Sequence, residues 1–107
     1  MLQDNRLVLA GVVKQAPQTR HTPSGIPITR FTLVHQSVQH EAGLERQVQC
    51  QIGVIASGDS LASICQALVA GEPVRVSGFL TRANHRDGEY RLVLHAQLIE
   101  RNSAFTN

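Results

Sequence analysis

At 107 residues the chain has room for one cored domain and not for two. Its apolar fraction of 42% sets intrinsic disorder aside, and no apolar run approaches the roughly 20 residues that cross a bilayer. The first residues, Met1 to Arg6, lack the basic start and apolar stretch of a secretion leader, so a cytoplasmic protein is expected. The formal net charge is only +2, but nine of the ten bases are arginine and Lys14 is the lone lysine. Arginine's planar fork suits phosphate contacts and stacking on bases, although solvated surfaces use it too.

From Arg6 to Lys14 the chain is apolar on both faces and β-branched, as a strand covered on two sides would be. Gly11 interrupts it and predicts a bend or bulge, as at a barrel corner. Ala16 to Pro27 reads as a loop, with Thr22-Pro23-Ser24-Gly25 fitting a type I turn. A second strand, Ile28 to Val38, alternates: Thr29, Phe31, Leu33 and His35 share one face, and Arg30, Thr32, Val34 and Gln36 the other. Glu41-Ala42-Gly43 makes the next turn. In Gln47 to Ile52, glutamines alternate strictly with apolar residues, which aims Val48, Cys50, Ile52 and Val54 inward and the glutamines outward. Val48 and Ile52 are expected to be nearly fully buried.

Between Ser57 and Gly71 the spacing of Leu61, Ile64, Cys65 and Leu68 is that of an amphipathic helix. Asp59 or Ser60 is its expected N-cap, and Gly71 lies near its expected C-terminal glycine. Strand period returns at Pro73 to Arg82, with Val74, Val76 and Gly78 on one face. A polar loop, Ala83 to Glu89, turns at Asp87-Gly88, and a last strand, Tyr90 to Glu100, puts Leu92, Leu94, Ala96 and Leu98 on one side. The domain is expected to span residues 4–102, with 103–107 flexible. Three strands, a short helix and two strands give an all-β chain whose order is that of the five-stranded Greek-key OB barrel. An open antiparallel sheet with one helix and an SH3-like barrel are the alternatives.

Several stretches carry a resemblance: Asn5-Arg6-Leu7-Val8-Leu9, Thr22 to Pro27 followed by Phe31-x-Leu33-x-His35, Ser37-Val38-Gln39, Glu41-Ala42-Gly43, Arg46-Gln47-Val48-x-Cys50-Gln51, Gly78-Phe79 and Leu92-Val93-Leu94-His95-Ala96. Together they resemble primosomal replication protein N, the PriB family, from about Asn5 to Glu100. The resemblance implies an OB-fold homodimer that binds single-stranded DNA, stabilises the PriA helicase on it and helps recruit DnaT in replication restart. Conventional single-strand-binding proteins recruit partners through a long Gly/Pro-rich tail with an acidic tip. This chain ends on Ser103 to Asn107 with no acid, so its folded domain is expected to do the recruiting.

An OB fold holds single strands with bases on its loops and aromatics on its face. The first loop offers Lys14, Arg20 and His21, with no acid from Lys14 to His40; the last hairpin offers Arg82, His85, Arg86 and Arg91 beside Asp87 and Glu89. By resemblance, Arg20, Arg86 and Arg91 stand where the family carries basic contacts. Two positions that can be aromatic in the family are Leu44 and Gln49 here, a departure that weakens stacking. Gln36 and Arg46 complete the candidate set for nucleic acid, and Tyr90 is the candidate substitute platform. Phe31 is expected in the core.

Cys50 and Cys65 have no Cys-x-x-Cys spacing and read as two small buried hydrophobes. His21, His35, His40, His85 and His95 lack ligand spacing, and no nucleophile elbow, phosphate-cradling glycine loop or zinc-protease helix occurs. No metal, no cofactor and no enzymatic activity are expected. The competing function readings are a protein-interaction module with vestigial DNA binding and a conventional single-strand-binding protein.

Overall fold

A computed structural model describes residues 1–84 and 91–101. In chain order its elements are β1 (Leu7–Val13), β2 (Gln18–His21), β3 (Pro27–Glu41), β4 (Leu44–Ser57), α1 (Asp59–Gln66), β5 (Pro73–Arg82) and β6 (Leu92–Glu100). The sheet order is β1-β5-β6-β4-β3-β2, and a further β1–β3 pairing closes five of these strands into a barrel. The β4–β6 pair is parallel and the others antiparallel. This is the OB barrel expected from the strand order.

Closure depends on two positions without a side chain. β1 runs along β5 from Leu7 to Val12 and then turns onto β3 at Val12 and Val13. At that corner a Cβ on Gly11 would strike the Val34 carbonyl, so the backbones cross only because the residue is glycine. Gly78 plays the same part on β5, where a Cβ would strike the His95 carbonyl. Beside it the β5–β6 register steps from Gly78↔Ala96 to Ser77↔Leu98, leaving Gln97 as a bulge. That bulge corrects the expectation for the last strand. Leu94 and Ala96 are buried as expected, but past Gln97 the faces exchange, so Ile99 turns inward and Leu98 is exposed. Leu92, at the strand's start, is exposed as well.

Val13, Leu33, Val54, Val74, Val76 and Leu94 form the centre of the core, with Phe31 among them at 6% exposure. Each such side chain contributes about 1.5–3 kcal/mol by leaving water. α1 packs Ala62 and Cys65 against β3, β4 and β6. It is shorter than expected. Its N-cap is Gly58, with no side-chain cap, rather than Asp59 or Ser60. It ends at Gln66, and Gly71 instead occupies a later turn at φ +85°, donating its N–H to the Val13 carbonyl.

Side chains finish what the ladders leave open. Asn5 imitates a strand partner: its amide donates to the Leu80 carbonyl (2.8 Å) and its Oδ1 accepts from the Leu80 N–H (2.9 Å). His35 fills the gap between β1 and β3. Its Nδ1 lies 2.6 Å from the Ala10 carbonyl, which can only accept, so that nitrogen carries the proton and Nε2 accepts from Ser37 Oγ at 2.7 Å.

The expected first loop contains β2, whose four residues pair with β3 from Pro27 to Arg30. Its residues are polar and exposed, so no apolar period announced it. Thr19 Oγ1 meets the fully buried Thr29 Oγ1 at 2.8 Å and ties the hairpin down. The turn at Thr22-Pro23-Ser24-Gly25 is closed by Gly25 N–H to the Thr22 carbonyl, as expected.

β3 and β4 are longer than expected and project past the barrel as a two-stranded arm. They turn through Ala42 (φ 52°) and Gly43 (φ 77°), a two-residue hairpin loop with both residues left-handed. The arm corrects three burial expectations. Gln47, Gln49 and Gln51 are exposed and Val54 is buried, so the register was read correctly. Val48 and Ile52 are only half-buried and Cys50 is exposed, because beyond Ile52 no third strand among the described residues covers the inner face. β1, apolar on both faces, likewise leaves Val8 and Val12 exposed in the single chain.

Candidate nucleic-acid interface

The outer face of β3 and β4 is built rung by rung from the register: Arg30 opposite Ile55, Thr32 opposite Gly53, Val34 opposite Gln51, Gln36 opposite Gln49 and Val38 opposite Gln47. β2 extends it, with Gln18 opposite Arg30 and Arg20 opposite Ile28. On the other side Val93 of β6 stands beside Gly53. The lower rungs form the floor of an open groove of about 530 Å³. One wall is Gln15 and Ala16 after β1, and the other is Ala83 and Arg91 at the base of the last hairpin. Ala83 N–H donates to the Arg91 carbonyl at 2.8 Å and fixes that base.

Among the described residues the lining includes Arg30, Arg91 and three glutamines, and no acid. A groove of this size with positive rims and amide walls suits an anionic, hydrogen-bonding ligand. Lys14 reaches over its upper edge and donates from Nζ to Gln51 Oε1 at 3.2 Å.

The sequence candidates divide accordingly. Arg91 lines the groove, Lys14 overhangs it, Arg20 continues its face along β2, and Gln36 and Gln49 form the next rung up the arm. Arg82 shares the parity of Gly78 and Leu80, so it leaves at the barrel end rather than on this face. Leu44 and Arg46 share the parity of Val48 and Cys50, on the arm's opposite face, and Arg46 pairs with Glu41 at 3.3 Å. Arg86, His85, Tyr90 and the Asp87-Gly88 turn lie outside the described residues, as do residues 102–107. Arg30, Thr32, Gly53 and Gln51 were not in the sequence-derived set. The alternation of the second strand had already put Arg30 and Thr32 on its outward face, which was the available signal.

Among the described residues no group of three His, Cys, Asp or Glu side chains could hold a metal ion, and no helix is long and apolar enough to cross a membrane. Burial pushes the Cys65 thiol up to about 11, which keeps it protonated.

The family model described as "another single-strand binding protein family" matches residues 5–98. Replication restart protein PriB of Serratia proteamaculans is 46% identical over 96 residues, covering 90% of this chain and 91% of its own. The chain belongs to the PriB family. Its Escherichia coli K12 relative is 45% identical over the same share of this chain and 92% of its own. Among solved structures, PriB from Ralstonia solanacearum superposes with a TM-score of 0.80 at 29% identity, covering 94% of this chain and 99% of that one. A small single-stranded DNA-binding protein from Streptomyces coelicolor, at 24% identity and a TM-score of 0.71 over 95% and 96% of the two chains, shares the fold.

Proposed function

We propose that this PriB-family chain binds single-stranded DNA along the outer face of β3 and β4, and that it acts in the cytoplasm as a non-enzymatic accessory of replication restart. It stabilises the PriA helicase on DNA, helps recruit DnaT, and works as a homodimer. The observation that carries the DNA reading is the groove itself, with Arg30 and Arg91 in its lining, Lys14 at its edge and no acid among its described lining residues. The dimer is supported by Val8 and Val12, apolar and exposed on β1's outer face. Light scattering at micromolar concentration tests it, and a monomer would count against it.

Binding leans on phosphates, because Phe31, the one aromatic among the described lining residues, is itself buried. With three or four phosphate contacts, log affinity should fall against log salt with a slope of about −2 to −3. Titration of labelled oligonucleotides at two salt concentrations measures this. Arg91→Ala together with Lys14→Ala should flatten the slope by about one unit.

The scarcity of aromatics favours a second reading, a protein-interaction module. That reading gains if the wild-type chain binds the PriA helicase yet shows no salt-dependent affinity for oligonucleotides.

A further inference from the structure

We infer that Arg30 is the stacking platform for one nucleobase, which lies on the bare backbone of Gly53 against Val93. This rests on the proposed single-stranded DNA reading of the groove and assigns one residue within it a role that basic charge alone does not require.

The register provides the seat. Thr32, Gly53 and Val93 make one rung across β3, β4 and β6, and Gly53 leaves its centre without a side chain. A Cβ there would meet only Val93 Cγ1, at 3.4 Å, so glycine is not demanded by packing as it is at Gly11 and Gly78. What the missing side chain leaves is a flat bed in the floor of the groove. Arg30 stands opposite Ile55, which places it diagonally across from Gly53. Diagonal cross-strand neighbours are about 7–8 Å apart, within reach of a long side chain.

Arg30 is exposed, lines the groove, and makes no hydrogen bond or ion pair among the described residues. On its β4 side the surface is apolar, with Ile55 opposite and Val93 beyond Gly53, whereas Gln18 stands opposite it on β2 and the amides of Gln15 and Gln51 line the groove's margins. A phosphate would be better served at those margins. The face of a base is better served by an apolar bed and a planar guanidinium laid over it. In this chain, whose aromatic content is 4%, such a cation replaces the ring that other single-strand binders use.

The test is a titration of labelled oligothymidylate, at several salt concentrations, against the wild-type chain, Arg30→Lys, Arg30→Ala and Gly53→Leu. Thermal melting of each variant confirms that it is folded. Lysine keeps the charge and loses the plane, so Arg30→Lys should lower affinity about tenfold with the salt slope unchanged. Arg30→Ala should bind more weakly still, and Gly53→Leu should lose affinity without changing the slope. A single abasic nucleotide moved along the oligomer should weaken wild-type binding at one position and leave Arg30→Lys unaffected there.

If Arg30→Lys binds as the wild type does and only Arg30→Ala weakens, Arg30 contacts a phosphate and the inference is wrong. If the Lys14 and Arg91 variants lose binding while every Arg30 variant keeps it, the inference fails and the DNA reading stands. Failure of the wild-type chain to bind oligothymidylate at low salt overturns both.

Discussion

The barrel body and the β3–β4 arm are made from the same two strands under different rules. Within the body, Leu33 and Val54 lie under other strands and are 0% and 1% exposed. A few residues farther along the same alternation, His35 and Val48 are half-buried and Cys50 is exposed. The pattern of the sequence does not change there; the number of strands overhead does. Alternation therefore reports which face a residue takes, and only the neighbouring strands decide whether that face is dry.

The largest expected effect sharpens this contrast. Leu33→Ala should destabilise the fold by about 3–5 kcal/mol, while Val48→Ala on the arm should stay at or below about 1 kcal/mol. Denaturant melts of the two variants check it, and equal losses would mean that the arm is covered in solution. Next comes thiol reactivity. Cys50 is exposed, and Cys65 is buried with a thiol pushed up to about 11. Cys50 should react with a thiol reagent at least about a hundredfold faster, since Cys65 must wait for the barrel to open. Protection of Cys50 would place a second surface over the arm's inner face.

A smaller effect is confined to the arm's tip. Ala42 holds φ 52° in a two-residue turn that favours glycine or asparagine. Ala42→Gly should stabilise by about 0.5–1 kcal/mol in thermal melts, without altering the salt slope of DNA binding.

The smallest belongs to the body's far edge. Glu72 is held below the usual carboxylate range chiefly by its hydrogen bond from Arg101, and Glu100 chiefly by its bond from Arg75. Depressed carboxylates contribute stability that is fully present above their unfolded value and is lost as pH falls through the lower folded one. Tm should therefore hold at neutral pH and decline below about pH 4, and Glu72→Gln should make that decline shallower. A Tm that rose on acidification would contradict the sign.

The same contrast explains what the sequence disclosed. The span Pro73 to Arg82 was legible residue for residue, because Val74 and Val76 sit in a regular ladder with a covered face. The Leu98–Ile99 exchange was not, since a bulge at Gln97 leaves no mark in an apolar run. β2 was hidden for the opposite reason: Gln18 to His21 are held by backbone pairing and one threonine contact rather than by burial. In the candidate site, Lys14 and Arg91 were found through charge in loops. Gly53 was missed, because an empty position gains meaning only when Val93 and Thr32 are seen on either side of it.

The groove on the body, rather than the arm's opposite face, is the proposed seat of single-stranded DNA. Amide chemical-shift mapping during titration with oligothymidylate tests it most directly. The largest shifts are expected at Arg30, Thr32, Gln51, Gly53 and Arg91, fading past Gln36 and Gln49, with Leu44 and Arg46 nearly still. Shifts centred on Leu44, Arg46 and Val48, with the groove unmoved, would contradict it.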